Sequence, residues 1–424
     1  MSSKPRKIAV AVTHRTPYGR LKPVLKAIQS HPDLELQIIV ATPVFFHDLL
    51  FALRHSDFSS IKVSISWYIK ARLRKFFGGK SALNELDLLS KSISADGFSI
   101  SAHVPVFIAG GNLKTMTKSV GAGIINLPVI FEKLKPDVVL IHADRFEMLA
   151  VAVAASLMNI PIAHTQGGEV SGTIDEKARH AITKLSHIHF PTTNQSKERL
   201  LRMGESADRV FLVGCPTIDV LKRIDLSPDN AIFDRNGNGH GDRLDLSKPY
   251  ILVLQHPVTT EYGEAKRQME ETLKAVQSLN MPVFLLWPNI DAGSDGASAA
   301  VSHFIKHHNL PAFALFKTLH SEDFYKVLKN ATVAVGNSSS FIRESSYLGT
   351  PTVLIGSRQN NRERADNVIE VSHDHVEIKE AVLKQLAHGP YPSSNLFGDG
   401  ETSNLIADIL SDADIIAQKY FIDY

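Results

Sequence analysis

One cysteine, Cys215, is the only thiol in this 424-residue chain. That excludes an intramolecular disulfide, thiolate metal clusters and Cys-x-x-Cys redox chemistry together, and it fits a reducing, cytoplasmic setting. An excess of charge is also missing: 46 Lys and Arg stand against 44 Asp and Glu, too even a balance for a chain whose partner is a nucleic-acid backbone. No run approaches the roughly 18 consecutive apolar residues of a membrane span, and the basic N-terminal stretch passes straight into a strand-like segment without a secretion signal. Neither Gly-x-x-x-x-Gly-Lys-Ser/Thr nor a Gly-x-Gly-x-x-Gly after the first strand is present, so the marks of an ATPase or a nicotinamide enzyme are absent. His164, His180, His187 and His189 show no metal-ligand spacing, and neither metal nor cofactor is expected.

What the chain does have is a rhythm. Short β-branched runs at 7–14, 36–42, 137–144, 161–168 and 209–217 alternate with helical patterns and read as buried parallel strands. Residues 226–248 are dense in Asp, Asn, Gly and Pro and read as a linker. The rhythm then resumes at 250–257, 281–289, 331–337 and 350–356, with a helix expected over 263–279. The fold class predicted is therefore α/β, with two Rossmann-like, doubly wound domains facing each other across a cleft. The boundaries are placed at 1–222, a linker at 223–248, a second domain at 249–398, and a terminal helix at 399–424 that packs back on either domain. Residues 61–80 interrupt the pattern with six cations and no acid (Lys62, Lys70, Arg72, Arg74, Lys75, Lys80), within an insert near 45–110. The reading favoured for them is the solvated face of an amphipathic helix; contact with anionic lipid or a partner is the alternative.

Residues just beyond the strand ends are where open α/β sheets bind ligands. After the first strand stand Arg15 and Arg20, whose guanidinium forks match phosphate oxygens, or else decorate a surface turn. After residue 335 comes Gly336-Asn337-Ser338-Ser339-Ser340. One such residue suffices for a helix cap, whereas small hydroxyl residues in series after a glycine suit a closely approaching diphosphate. Glu344, deeper in the same helix, suits ribose hydroxyls. Gln255-His256-Pro257, Asn289 with Asp291, and Arg358 complete a polar rim. The first domain supplies acids for general acid–base work: Asp144, Glu169 and Asp175. Each has a plainer reading, since Asp144 can pair with Arg145, while Thr173 and Glu176 have capping-box spacing with Asp175 in the first turn.

In order along the chain, HADRFEMLA (142–150), GGEVSGTIDEKARHAITKLSHIHF (167–190), VGCPTIDVL (213–221), LQHPVTTEYGE (254–264), PNIDAGS (288–294), GNSSSFIRE (336–344) and GTPTVLIGSRQNNRE (349–363) resemble the hydrolysing UDP-N-acetylglucosamine 2-epimerases. The likeness runs from Arg15 almost to the C-terminus and fails mainly between 45 and 110. It implies a glycosyltransferase-B-like domain pair with a nucleotide sugar between the domains, and a homodimer or homotetramer. It also implies a two-step reaction in which anti elimination of UDP gives 2-acetamidoglucal and water then adds to release an N-acetylmannosamine-type sugar. By motif it assigns Asp144 and Asp175 to catalysis and Arg15, Arg20, His256, Asn289, Ser338, Ser339, Glu344 and Arg358 to the nucleotide. One position departs: the family's animal member has glutamate just before the Gly-Gly pair, where this chain has Gln166. Either Glu169 takes over proton transfer, or Asp144 and Asp175 suffice with Gln166 orienting the substrate. A glycosyltransferase of the same architecture and a catalytically silent nucleotide-sugar-binding protein are the alternatives.

Overall fold

The computed structural model describes residues 4–13, 15–44, 89–108, 112–237, 239–289, 291–307, 309–415, 418–420 and 422, leaving out the side chains of 15–17. The first sheet holds β1 (Arg6–Val12), β2 (Leu34–Pro43), β3 (Ile100–Phe107), β4 (Val138–His142), β5 (Ile162–Thr165) and β6 (Ile188–Phe190) in the order β3-β2-β1-β4-β5-β6. Every pairing in it is parallel. Among its helices are α1 (Arg15–Ser30), α2 (Leu113–Leu134), α3 (Phe146–Leu157), α4 (Ile174–Leu185) and α5 (Asn194–Arg202). Alternation along β1 shows why both faces are covered: Ile8, Val10 and Val12 point into one core and Ala9 and Ala11 into the other. The alanine face admits α2 and α3 closely.

After α6 (Pro216–Leu221) and α7 (Ile232–Asn236), the second sheet takes β7 (Gly239–Gly241), β8 (Ile251–Leu254), β9 (Val283–Leu286), β10 (Phe313–Phe316), β11 (Val333–Gly336), β12 (Thr352–Ile355) and β13 (Val368–Val371). Their order is β13-β12-β11-β8-β9-β10-β7, with only β7 antiparallel. The remaining helices are α8 (Ala265–Gln277), α9 (Ser294–His307), α10 (Ser321–Asn330), α11 (Arg343–Leu348), α12 (His375–His388) and α13 (Thr402–Asp412). Ile218 and Leu221 of α6 pack into the second domain's core, whereas Ile406 and Leu410 of α13 return to the first domain's.

The two-domain α/β architecture is as the sequence implies, with local differences. Residues 209–217 form no strand: the only ladder contact there is an isolated parallel bridge from Val210 to His189. The left-handed Gly214 and the helix-starting Pro216 explain the break. Strands β3, β6, β10 and β13 were not expected, nor was β7 inside the supposed linker. The terminal helix stops at Asp412 rather than continuing through the apolar residues that follow. The basic segment 61–80 lies outside the described residues. Among the described residues no helix is long and apolar enough to cross a membrane.

Candidate active site

Each sheet reverses its winding once, between β1 and β4 in the first domain and between β8 and β11 in the second. Such switch points open a crevice at the carboxyl ends of the strands. Arg20 follows β1, Asp144 follows β4, His256 follows β8 and Ser338 to Ser340 follow β11, so the two crevices bring these residues to one cleft.

The second domain forms the wall rich in donors. Gly336, at φ 143°, lets β11 run so close to β8 that a Cβ would collide with the Leu254 carbonyl. Buried Asn337 then accepts the His256 N–H at 2.7 Å and donates to the His256 carbonyl at 2.9 Å, fixing that loop. The backbone N–H of Asn289 donates to His256 Nδ1 at 3.2 Å, which leaves the ring proton on Nε2. Burial, reinforced by Arg358, Arg145 and Arg20, holds this imidazole well below its usual pKa, so it is a neutral donor. Ser338 does act as a cap, accepting the Ser340 N–H at 3.3 Å, but Ser339 and Ser340 turn to Arg20 of the first domain, at 3.4 and 2.8 Å. Arg20 Nε also lies 3.2 Å from fully buried Glu344, neither of whose oxygens has a hydrogen bond among the described residues. Arg358 donates to the Asn337 carbonyl at 3.2 Å. Asn289 bonds to Asp291 through its amide nitrogen, while its Oδ1 is unpartnered among the described residues. Of Arg15 only the backbone position, at the start of α1, is described.

The first domain presents the acids. Asp144 pairs with Arg179 of α4 rather than with Arg145, which reaches Glu147 at 3.0 Å and, across the cleft, Asp291 at 3.5 Å. Burial opposes ionisation of Asp144, but Arg179, Arg362 and Arg343 outweigh it and hold the carboxyl below the ordinary range. Asp175 behaves in the opposite way. Thr173 caps α4 by accepting the Asp175 N–H at 3.3 Å, and Glu176 accepts the Ser171 N–H at 2.6 Å. The Thr173–Glu176 capping box therefore does not form, since Glu176 turns to Ser171 instead of Thr173, and the Asp175 carboxylate takes no part in the cap and has no hydrogen bond or ion pair among the described residues. Burial first, then Asp144 and Asp291, raise its pKa to about 6 against the pull of Arg358 and Arg145.

Gln166 follows β5 in a left-handed conformation, φ 63°, as Ala143 follows neighbouring β4. Non-glycine residues held there store about 1–3 kcal/mol each and tend to mark working sites. The Gln166 amide donates towards Cys215 Sγ at 3.6 Å, and its buried Oε1 is unpartnered among the described residues. Glu169, three residues on, has both oxygens engaged: Thr192 donates to Oε1 at 2.7 Å, and Arg343 and Arg362 of the second domain reach Oε2 at 2.5 and 2.8 Å. Burial would raise its pKa, yet Arg343, Arg362 and Arg179 bring it down to about 2.

The cleft is closed over these groups. At Gly172 a Cβ would collide with the Ser357 carbonyl, and the Gly172 N–H donates to the Arg358 carbonyl at 3.1 Å. Sequence reading missed Arg179, Arg343 and Arg362. One signal was available for the first of them, because Arg179 falls on the buried stripe of α4 with Ile182 and Thr183, where a charge requires a partner. The four histidines are dispersed among separate partners: His164 to the Ala143 carbonyl at 2.9 Å, His187 to the Ile162 N–H at 3.1 Å, His189 to Glu205 at 2.8 Å and His180 to Glu176 at 3.8 Å.

Comparison with known proteins places the chain in a family and a fold. The chain is 35% identical over 398 residues to a UDP-N,N'-diacetylbacillosamine 2-epimerase (hydrolyzing) of Legionella pneumophila, covering 94% of this chain and 93% of that one. It is 29% identical over 367 residues to a GDP/UDP-N,N'-diacetylbacillosamine 2-epimerase (hydrolyzing) of Campylobacter jejuni, covering 86% and 84%. Its fold matches that of the Neisseria meningitidis UDP-GlcNAc 2-epimerase bound to UDP-GlcNAc with a TM-score of 0.69 at 16% identity, over 96% and 99% of the two chains. Since the model of the UDP-N-acetylglucosamine 2-epimerase family matches residues 83–411, most of the chain, the protein belongs to that family.

Proposed function

We propose that this protein is a hydrolysing 2-epimerase. It takes a UDP-linked 2-acetamido sugar, eliminates the nucleoside diphosphate across C1 and C2, and adds water to release the free 2-epimer. The observation that carries this reading is the pair Asp144 and Asp175, whose surroundings push their proton affinities in opposite directions at the mouth of a donor-rich wall. A pair so divided assigns its own roles. Asp175, with a pKa of about 6, is basic enough to take the C2 proton and acidic enough to return one. Asp144 stays ionised and stabilises the positive charge that develops at C1 as the C1–O bond to the diphosphate breaks.

In the second step water supplies hydroxide to C1 and a proton reaches C2 on the opposite face, which inverts that carbon. The leaving diphosphate is met by His256 Nε2–H, Arg20, Arg358 and the N–H groups around Ser338 to Ser340, and Glu344 accepts from the ribose hydroxyls. Similarity to enzymes described as hydrolyzing supports release of the free sugar, and their diacetamido substrates support an acetamido group at C4 as well.

The reading is tested by NMR in deuterated water with UDP-N-acetylglucosamine and UDP-N,N'-diacetylbacillosamine. The expected outcome is a free 2-epimerised sugar bearing deuterium at C2, with one UDP released for each sugar. A sugar epimerised but still attached to UDP would overturn hydrolysis, and intact substrates would overturn catalysis. For the diphosphate wall, His256→Ala or Arg358→Ala should weaken UDP binding by about 1.5–3 kcal/mol, the worth of a charge-assisted hydrogen bond. Calorimetric titration with UDP measures this, and unchanged affinity removes that residue from the site.

A further inference from the structure

Behind the carboxylate pair lies a buried cluster of charge that spans the two domains. Glu169 and Asp144 come from the first domain with Arg179, while Arg343 and Arg362 come from the second. All three arginines are buried, and the Nε atom of each is unpartnered among the described residues. Glu169 is the hub: its carboxylate takes both guanidinium groups of the opposite domain, and its carbonyl accepts from Arg179 at 2.8 Å. Nearby, Thr193 also reaches across to Glu363.

We propose that Glu169 is the interdomain latch and a positioning residue: by gripping Arg343 and Arg362 it holds the cleft closed, and closure is what sets Asp144 and Asp175 in their working environment. The groups that set the affinity of Asp175 for its proton come from both domains, Asp144 and Arg145 from its own, Asp291 and Arg358 from the other. Its burial depends on the same closure, since the loop before it lies against Thr259, Ser357 and Arg358. Asp144, too, owes part of its ionisation to Arg343 and Arg362. A latch of this kind is reversible. The cost of desolvating buried ions offsets most of their attraction, so the cluster secures one geometry more than it adds stability. With three guanidinium groups against two carboxylates it carries a surplus positive charge, and burial together with Arg343 lowers the pKa of Arg362 to about 9.

This inference rests on the epimerase reading for its kinetic arm alone. Small-angle X-ray scattering of the full chain, both without ligand and with UDP, should give a larger radius of gyration for Glu169→Gln than for the unsubstituted protein. In the same variant, the acidic limb of kcat/KM should move from about 6 towards the ordinary carboxylate value, by roughly one pH unit, as Asp175 leaves its buried setting. Arg362→Gln, which removes the surplus charge, keeps the test available should Glu169→Gln fail to fold, and it should shift both readouts in the same directions. Loss of turnover at every pH with a closed scattering profile would make Glu169 a proton-transfer group and overturn the proposal. A fall in thermal stability with shape and limb unchanged would overturn it as well. If the unsubstituted protein turns over no sugar nucleotide, the epimerase reading fails while the scattering comparison still decides the latch.

Discussion

Replacing Asp144 by asparagine should lower kcat by about 10²–10³-fold, the usual cost of removing one charge aimed at the transition state, and leave UDP affinity close to that of the unsubstituted protein. The asymmetry follows from position. Asp144 stands on the first domain with Arg179, whereas the proposed diphosphate donors are Arg20, His256, Arg358 and the residues Ser338 to Ser340, with Glu344 the proposed acceptor for the ribose hydroxyls. Taking away a carboxylate opposite that wall removes nothing that holds the nucleotide. A second signature comes with it. Asp144 is one reason the pKa of Asp175 is raised, so in Asp144→Asn the residual activity should show its acidic limb below the unsubstituted position. Rapid-quench turnover and UDP titration on the same preparation check both. Loss of UDP binding, or a limb that stays in place, would mean that Asp144 is there to neutralise Arg179.

How much of this was legible beforehand depends on distance along the chain. The strand-and-helix rhythm gave the two doubly wound domains because buried parallel strands announce themselves as short apolar runs. Strands such as Ile188–Phe190 escaped because three residues carry too little pattern, and Gly239–Gly241 because its composition reads as a turn. The positions after strands were legible for a topological reason, since a switch point gathers whatever follows its strands. Partnerships across the cleft were not. Glu169 with Arg343 spans 174 positions, and no periodicity links them. The alternative pairing of Asp144 with Arg145 does not form, because adjacent side chains diverge. Arg145 leans to Glu147 and Asp291, leaving Asp144 to an arginine on another helix.

Asp175→Asn should separate activity from stability. On the proposed mechanism Asp175 must be ionised to take the C2 proton, so kcat/KM should fall as pH drops through about 6. Asparagine cannot take a proton, and turnover should fall about 10²–10⁴-fold at every pH. Folding stability should move the other way. A carboxyl whose pKa is about 6 when folded and about 3.9 when unfolded binds its proton more tightly in the native state. Its contribution is therefore fully favourable below the unfolded value, declines as pH rises through the folded one, and becomes a standing cost at neutral pH. Allowing for the partial solvent access of this side chain, the cost is about 1–2 kcal/mol. Asparagine, of the same shape and uncharged, removes it, so at pH 7.5 the variant should unfold at higher denaturant than the unsubstituted protein, and the gap should close below pH 4. Chemical denaturation at both pH values, alongside the turnover assay, reads the two effects together. A variant both inactive and less stable at pH 7.5 would show that the Asp175 carboxylate is a structural anchor, and the proton would then have to pass through another group of the cleft.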